Sequence, residues 1–258
     1  MVRVAIMREP SRSYALYCKP ETGISYSKAL RQHQRLRGVY RRHGYKIELL
    51  PRSWKYVAST FTQDTAFVSG DEALLTNCMS SWRTKEPRHR SHLQRTLEKY
   101  VRVVGQMGLP AELDVGEVVK TDDEYIVGCA TRAAYAGIRQ IRQKLNLDLP
   151  IRTAKRQDDG MPHLGSGLSY LGDGWLLASE LLEGYPFLAA YNVLWVPQGD
   201  ENGANVVRLA DGCLIASSDS PWTVGALRDM GFDVETVDLS EYNKACGHVS
   251  CLSINIVL

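Results

Sequence analysis

Residues 168–179 read LSYLGDGWLLAS, two short apolar runs on either side of a Gly-Asp-Gly turn. Glycine and aspartate tolerate the backbone conformations that a tight turn demands, so two apolar runs around such a turn read as a β-hairpin. The same layout recurs at TAFVSGDEALLTN (65–77), GEVVKTDDEYIVG (116–128) and NVVRLADGCLIAS (205–217). Chance explains one copy easily. Four copies in register indicate a repeat architecture.

Outward from the hairpins the pattern changes to helical periodicity. SHLQRTLEKYVRVVG (91–105) puts Leu93, Leu97, Val101 and Val104 on one face, with Ser91 as N-cap. TRAAYAGIRQIRQKL (131–145) does the same with Ala134, Ile138, Ile141 and Leu145. DSPWTVGALRDMG (219–231) has a capping Asp219, an early Pro221 and a closing Gly231, and SKALRQHQRLRGVYRRHG (27–44) predicts a helix ending at Gly44. YKIELLP and FDVETVDL, each after a helix, read as strands. The unit is strand, strand, helix, strand, used five times if the two terminal segments build the fifth.

Such units cannot bury their apolar faces alone. The expected fold is therefore a single α/β domain over residues 1–258, a closed five-unit propeller with pseudo-five-fold symmetry. Equivalent residues of each unit would converge on the axis. Those just before or opening the first hairpin strands are Asp64, Asp114, His163 and Asn205, and Cys251 opens the final strand, SCLSINIVL. Two carboxylates, a histidine and a cysteine at one end of an axis form a nucleophilic active site.

Composition narrows the class. With 31 basic and 29 acidic residues the net charge is +2, which asks for neither nucleic acid nor a membrane surface. No apolar run reaches the roughly 18 residues of a spanning helix. MVRVAIMREP is poor as a signal peptide. The six cysteines (18, 78, 129, 213, 246, 251) are too sparse for a disulfide scaffold, so reduced thiols in the cytoplasm are expected. Cys246, His248 and Cys251 make C-x-H-x-x-C, but the paired spacings of a zinc site are missing and no metal is expected.

Three stretches, PHLGSGLSYL around His163, SEYNKACGHVSCLSI around Cys251 and YIVGCATRAA around Arg132, carry a resemblance. With the looser FTQDTAFV and ELDVGEVV, the chain is similar over nearly its whole length to the dimethylarginine dimethylaminohydrolases. These are guanidine-modifying enzymes of the pentein fold, itself a five-unit propeller. The resemblance implies that Cys251 is the nucleophile and His163 the general acid and base, with Asp114 beside them in the catalytic set. Asp64 and Asp114 would hold the substrate guanidinium, and Gln63 would face it. Arg132 and Arg83 would bind an α-carboxylate. No cofactor is implied. The expected partner is a small guanidino amino acid, with a homodimer left open.

The sequence also departs from the family. Thr62-Gln63-Asp64 stands where Val-Glu-Asp is usual, Ala58 where Asp is frequent, and Asp114-Val115-Gly116-Glu117 in place of Glu-Gly-Gly-Asp. Cys246-Gly247-His248 replaces Asp-Gly-Gly. Each site residue also has a plainer structural reading. Cysteine fills cores as a small hydrophobe, Asp64 could cap a turn, Arg132 could sit at a helix start, and Arg83 lies in the basic segment SSWRTKEPRHR. The expected activity is a cysteine hydrolase cleaving a guanidine C–N bond in an arginine-like amino acid, of the dimethylarginine type, through a covalent thiouronium. The alternatives are an amidinotransferase and a non-catalytic binding pentein.

Overall fold

The computed structural model describes residues 1–16, 23–54, 56–79, 83, 90–157 and 160–258. Cys18 and most of the basic segment around Arg83 lie outside them. The described residues form five three-stranded sheets, each with one antiparallel and one parallel pairing. By contact the described residues group into two compact units: 1–115 with 131–148 and 251–258, and 116–130 with 149–250.

The first unit holds two sheets. One pairs β1 (Arg3–Met7) antiparallel with β15 (Ser253–Val257) and parallel with β2 (Lys46–Leu49), so the terminal segments do build one repeat. The other pairs β3 (Ala66–Ser69) with β4 (Glu72–Leu75), and β4 with β5 (Arg102–Gln106). Their apolar faces share a core of Val4, Ile6, Leu75, Leu97, Ile254 and Ile256 among others. Helix α1 (Tyr26–Arg42) joins β1 to β2 and is capped by Ser25, whose hydroxyl accepts from the Lys28 N–H. Helix α2 (Arg90–Leu97) and helix α3 (Arg132–Lys144) complete the unit. In α3 the predicted face Ala134, Ile138 and Ile141 is buried.

The second unit has three sheets: β6 (Val118–Lys120), β7 (Tyr125–Cys129) and β8 (Ile151–Lys155); β9 (Leu168–Gly172), β10 (Trp175–Ser179) and β11 (Asn192–Val196); and β12 (Val207–Arg208), β13 (Leu214–Ser217) and β14 (Val234–Val237). Helix α4 (Pro221–Asp229) precedes β14, and a short α5 (Ser240–Asn243) follows it. Two cores fill this unit, one under β9 and β10 and one between β13, α4 and β14.

All four hairpins form where the repeat predicts them, and four details differ. Ser91, expected as an N-cap, lies inside helix α2, which starts at Arg90. The helix expected over 91–105 stops at Leu97, and Arg102–Gln106 is strand β5. Val103 and Val104 are β-branched and the stretch pairs with β4, and this tertiary partner overrides the helical spacing. Helix α4 is preceded by Ser220, not by a capping Asp219, whose carboxylate accepts from Asn243 Nδ2. Between β10 and β11 the helix is replaced by two 3-10 turns, Glu180–Leu182 and Pro186–Ala190, because Gly184 and Pro186 interrupt the run. Among the described residues no helix is long and apolar enough to cross a membrane.

A second repeated feature appears beneath the hairpins. A 3-10 turn leads into the antiparallel edge strand of every described sheet: Gln63–Thr65 before β3, Val115–Glu117 before β6, Leu164–Ser166 before β9, Glu201–Ala204 before β12, and Ser250–Leu252 before β15. The five candidate positions all lie in or beside these turns.

Candidate active site

In the first unit the loop carrying Gln63 and Asp64 is tied to β1. Thr62 Oγ1 donates to the Ile6 carbonyl at 3.2 Å and Thr60 Oγ1 to the Arg8 carbonyl at 3.0 Å. Thr76 Oγ1 donates to the Asp64 carbonyl at 2.6 Å, fixing the turn from the β4 side. The Asp64 carboxylate is buried and accepts from Arg83 Nη1 at 2.6 Å, while Arg83 Nη2 donates to the Phe61 carbonyl at 2.7 Å. Arg83, expected to read a carboxylate on a substrate, is thus bonded to a carboxylate of the protein. Both side chains are about one-twentieth exposed, at 5% and 6%. An ion pair so dry is retained because loss of either partner would strand a buried charge.

Asp114 is also buried, and its two carboxylate oxygens lie 3.2 and 3.3 Å from the Met79 N–H. Its chain position is set by the Leu113 N–H donating to the Asn77 carbonyl at 2.8 Å. Gln63 is half-buried, and its side-chain carbonyl oxygen is buried without a hydrogen-bond donor. Ala58 is buried. Cys251 is buried at the head of β15 and is not in a disulfide. Arg132 is exposed in the first turn of α3, where the Thr131 hydroxyl already caps the helix by accepting from the Ala134 N–H at 3.1 Å. A cation there opposes the helix dipole, so helix stability does not explain it.

In the second unit His163 stands just before the turn Leu164–Ser166, with its ring Nδ1 3.6 Å from Glu117 Oε1. That separation makes the pair electrostatic in character. Glu117 is buried and held from two further sides. Arg156 Nη1 lies 2.9 Å from both of its oxygens, and the Leu164 N–H donates to Oε2 at 3.1 Å. Burial pushes the Glu117 carboxyl up, but the nearby His163, the Arg156 guanidinium and the Leu164 N–H outweigh it and hold the group below its usual range. The carboxylate has room only because residue 128 is glycine. A Cβ there would overlap Glu117 Oε2 and stand 3.0 Å from Arg156 Cδ and 3.1 Å from Leu164 Cβ.

His248 is buried in the same unit, and its Nε2 lies 3.2 Å from Asn202 Oδ1. Burial, with a smaller push from the charge of His163, lowers its pKa to about 4, so the ring is neutral at pH 7. Asn205 follows the turn Glu201–Ala204. Cys246 is exposed, is not in a disulfide and has a left-handed backbone at φ 53°. Among the described residues no group of three or more His, Cys, Asp or Glu is arranged to hold a metal ion.

The structure therefore brings together Asp64 with Arg83 in one unit and His163 with Glu117 in the other. Sequence reasoning missed Glu117, Arg156 and Asn202. Glu117 was within reach: it lies three residues after Asp114, in the stretch already singled out for its carboxylate. Arg156 carried no local signal, since its role appears only when β7 and β8 pair.

No family model matches the chain. The N(G),N(G)-dimethylarginine dimethylaminohydrolase of Pseudomonas aeruginosa is 26% identical over 260 residues, which cover 98% of this chain and 99% of that protein. The enzyme of the same name from Streptomyces coelicolor is 29% identical over 198 residues, 77% of this chain and 74% of that one. Among solved structures, a cysteine-to-serine mutant of the Pseudomonas aeruginosa protein complexed with citrulline superposes with a TM-score of 0.87 at 25% identity, covering 99% of this chain and 100% of that one. The fold class is the five-unit α/β pentein class to which that structure belongs.

Proposed function

We propose that the chain is a member of the dimethylarginine dimethylaminohydrolase family, to which it is similar over nearly its whole length, and that it hydrolyses a C–N bond of a guanidine group in an arginine-like amino acid. The observation that carries the reading is the His163–Glu117–Arg156 arrangement, in a chain matched from end to end by an enzyme of that activity. A histidine backed by a fixed, charged carboxylate is oriented and made a better proton carrier.

The reaction follows from the residue chemistry. The Cys251 thiolate attacks the central guanidinium carbon and forms a C–S bond. His163 protonates the departing nitrogen, so the amine leaves neutral and a thiouronium remains on sulfur. His163, now neutral, takes a proton from water as its oxygen attacks the same carbon. The C–S bond breaks as the remaining hydroxyl proton passes to solvent, where the released amine takes one up, and the neutral ureido product departs with the thiolate restored and His163 protonated again. Asp64 and Asp114 hold the guanidinium by charge-assisted hydrogen bonds, and the cation in turn favours the thiolate. Asp64 already accepts from one buried guanidinium, that of Arg83, and a carboxylate so placed suits a second. Arg132 binds the α-carboxylate. Its exposure and its lack of an ion-pair partner among the described residues leave it available for an anion. Gln63 faces the guanidine, where its undonated carbonyl oxygen accepts an N–H.

The test is turnover of dimethyl-L-arginine, monomethyl-L-arginine and arginine by the purified chain, with the ureido product and released amine identified by mass spectrometry. Equimolar citrulline and amine support the reading. An amidino group transferred to a supplied amine, with no ureido product, would replace it by an amidinotransferase. No turnover of any guanidine would overturn it.

A further inference from the structure

Asn205 is 2% exposed and spends its whole side chain on two distant segments. Its Nδ2 donates to the Gly165 carbonyl at 2.6 Å and to Ser250 Oγ at 2.8 Å, and its Oδ1 accepts from the Ser250 N–H at 3.1 Å. Gly165 is two residues after His163. Ser250 is the residue before Cys251. A buried asparagine whose purpose was local would bond two to four residues away, as an Asx turn or a helix cap does. These bonds span 40 and 45 residues and end beside the two groups assigned to catalysis.

The turn that carries Asn205 is itself anchored by hydrogen bonds. Asp200 accepts from the Gly203 N–H at 2.7 Å through its carbonyl, and from the N–H and hydroxyl of Thr223 at 2.9 and 2.5 Å through Oδ2. Residue 203 must be glycine, since a Cβ would overlap the Thr223 side chain. Asn202, on the same turn, has its Oδ1 within hydrogen-bond distance of His248 Nε2, at 3.2 Å. One anchored turn therefore grips the segment 248–250 at two points just ahead of Cys251. The buried imidazole of His248 is neutral and adds no second charge beside the His163 loop.

We propose that Asn205 is a positioning residue: it fixes the backbone that delivers Cys251 and the turn that follows His163, and touches neither the nucleophile nor the substrate. The inference rests on the proposed roles of Cys251 and His163. A displacement of about 1 Å at reacting groups costs on the order of 10²-fold in rate. Asn205→Ala removes all three bonds. Asn205→Asp keeps the shape and the acceptor but loses both donors.

The experiment compares the full-length wild type with both variants, folding being checked by circular dichroism. kcat and KM are measured with dimethyl-L-arginine. The rate of Cys251 alkylation by iodoacetamide is followed against pH, with the site read by fragmentation of the C-terminal peptide. Expected in both variants is a kcat lower by about 10²-fold with KM within about threefold of wild type, and an altered alkylation profile. If only thermal stability falls, while kcat and the profile of folded protein stay at wild-type values, Asn205 is merely structural and the proposal fails. If the wild type turns over no guanidine, the hydrolase reading falls on its own. The alkylation profiles then still decide: a shift in the variants supports positioning of Cys251, and coincident profiles refute it.

Discussion

Gly128→Ala adds one methyl group to the floor beneath the Glu117 carboxylate, and the consequence follows from the geometry. The new Cβ overlaps Glu117 Oε2 and crowds Arg156 Cδ and Leu164 Cβ, at 3.0 and 3.1 Å. The carboxylate is the most movable of the three, but it swings aside only by giving up Arg156, the Leu164 N–H and its place beside His163. Overpacking of a dense interior costs about 1–3 kcal/mol. For a chain of this size that is a fall in Tm of roughly 2–12 °C. Full loss of the buried Arg156 partner would cost about 3–5 kcal/mol, so the upper end is reached if the pair separates. Activity should fall further than stability, by about 10²-fold in kcat, because His163 loses its orienting charge. Glu117→Gln separates charge from space: it leaves the volume and removes the charge. The Glu117 carboxyl is held below its ordinary range, so its contribution to stability is complete above the unfolded carboxylate pKa and is lost as pH falls through the lower folded value. The acid limb of the wild-type stability profile, below about pH 4.5, should therefore flatten in Glu117→Gln. Amine release gives kcat, and thermal melts against pH give the stability arm. A folded Gly128→Ala protein with wild-type kcat would refute the reasoning.

Three further predictions concern separate residues. Arg132→Ala should weaken kcat/KM for amino-acid substrates by about ten- to hundredfold while sparing simple alkylguanidines, the cost of a charge-assisted contact; equal losses on both would remove Arg132 from carboxylate recognition. Gln63→Glu adds a negative charge beside the substrate cation and should shift the kcat/KM ratio toward dimethylarginine over less basic guanidines by about a kilocalorie per mole, roughly fivefold; an unchanged ratio would mean that Gln63 does not face the guanidine. His33 lies fully buried on α1 with neither ring nitrogen hydrogen-bonded, and burial, with a smaller push from Arg37, lowers its pKa to about 3. Its neutral form is the folded one, so stability is complete above about pH 6.5 and declines as pH drops toward 3, with roughly 3 kcal/mol lost by pH 4. Denaturant melts of His33→Leu should show a shallower decline over that window, and parallel curves would contradict the assignment.

The repeat made the fold legible. The hairpins carry both signals at once, short apolar runs and turn chemistry, and local chemistry of that kind survives in the folded chain. Helix α3 was equally plain, since its apolar spacing agrees with its burial. The boundary at Leu97 was not, because helical spacing continues into Arg102–Gln106 and only pairing with β4 makes that stretch a strand. The site divides the same way. The proposed site residues Cys251, His163 and Asp64 sit at the heads of repeats, positions legible from register alone. Glu117 lay in a stretch already singled out, but its bond to Arg156, like those of Asn205 to Gly165 and Ser250, spans tens of residues, and no local pattern announces such pairings. Asn205 was visible as a repeat position but not as a clasp.

The central claim, that Cys251 attacks a guanidine carbon and holds it covalently, is tested most directly by intact-protein mass spectrometry during turnover. Wild-type protein mixed with dimethyl-L-arginine and quenched in acid during turnover should gain the mass of the substrate less its released amine. Fragmentation should place the gain on Cys251, and the Cys251→Ser protein should show none. Turnover to a ureido product by wild type with no adduct on Cys251 in any trapped sample, or with undiminished activity in Cys251→Ser, would contradict the account.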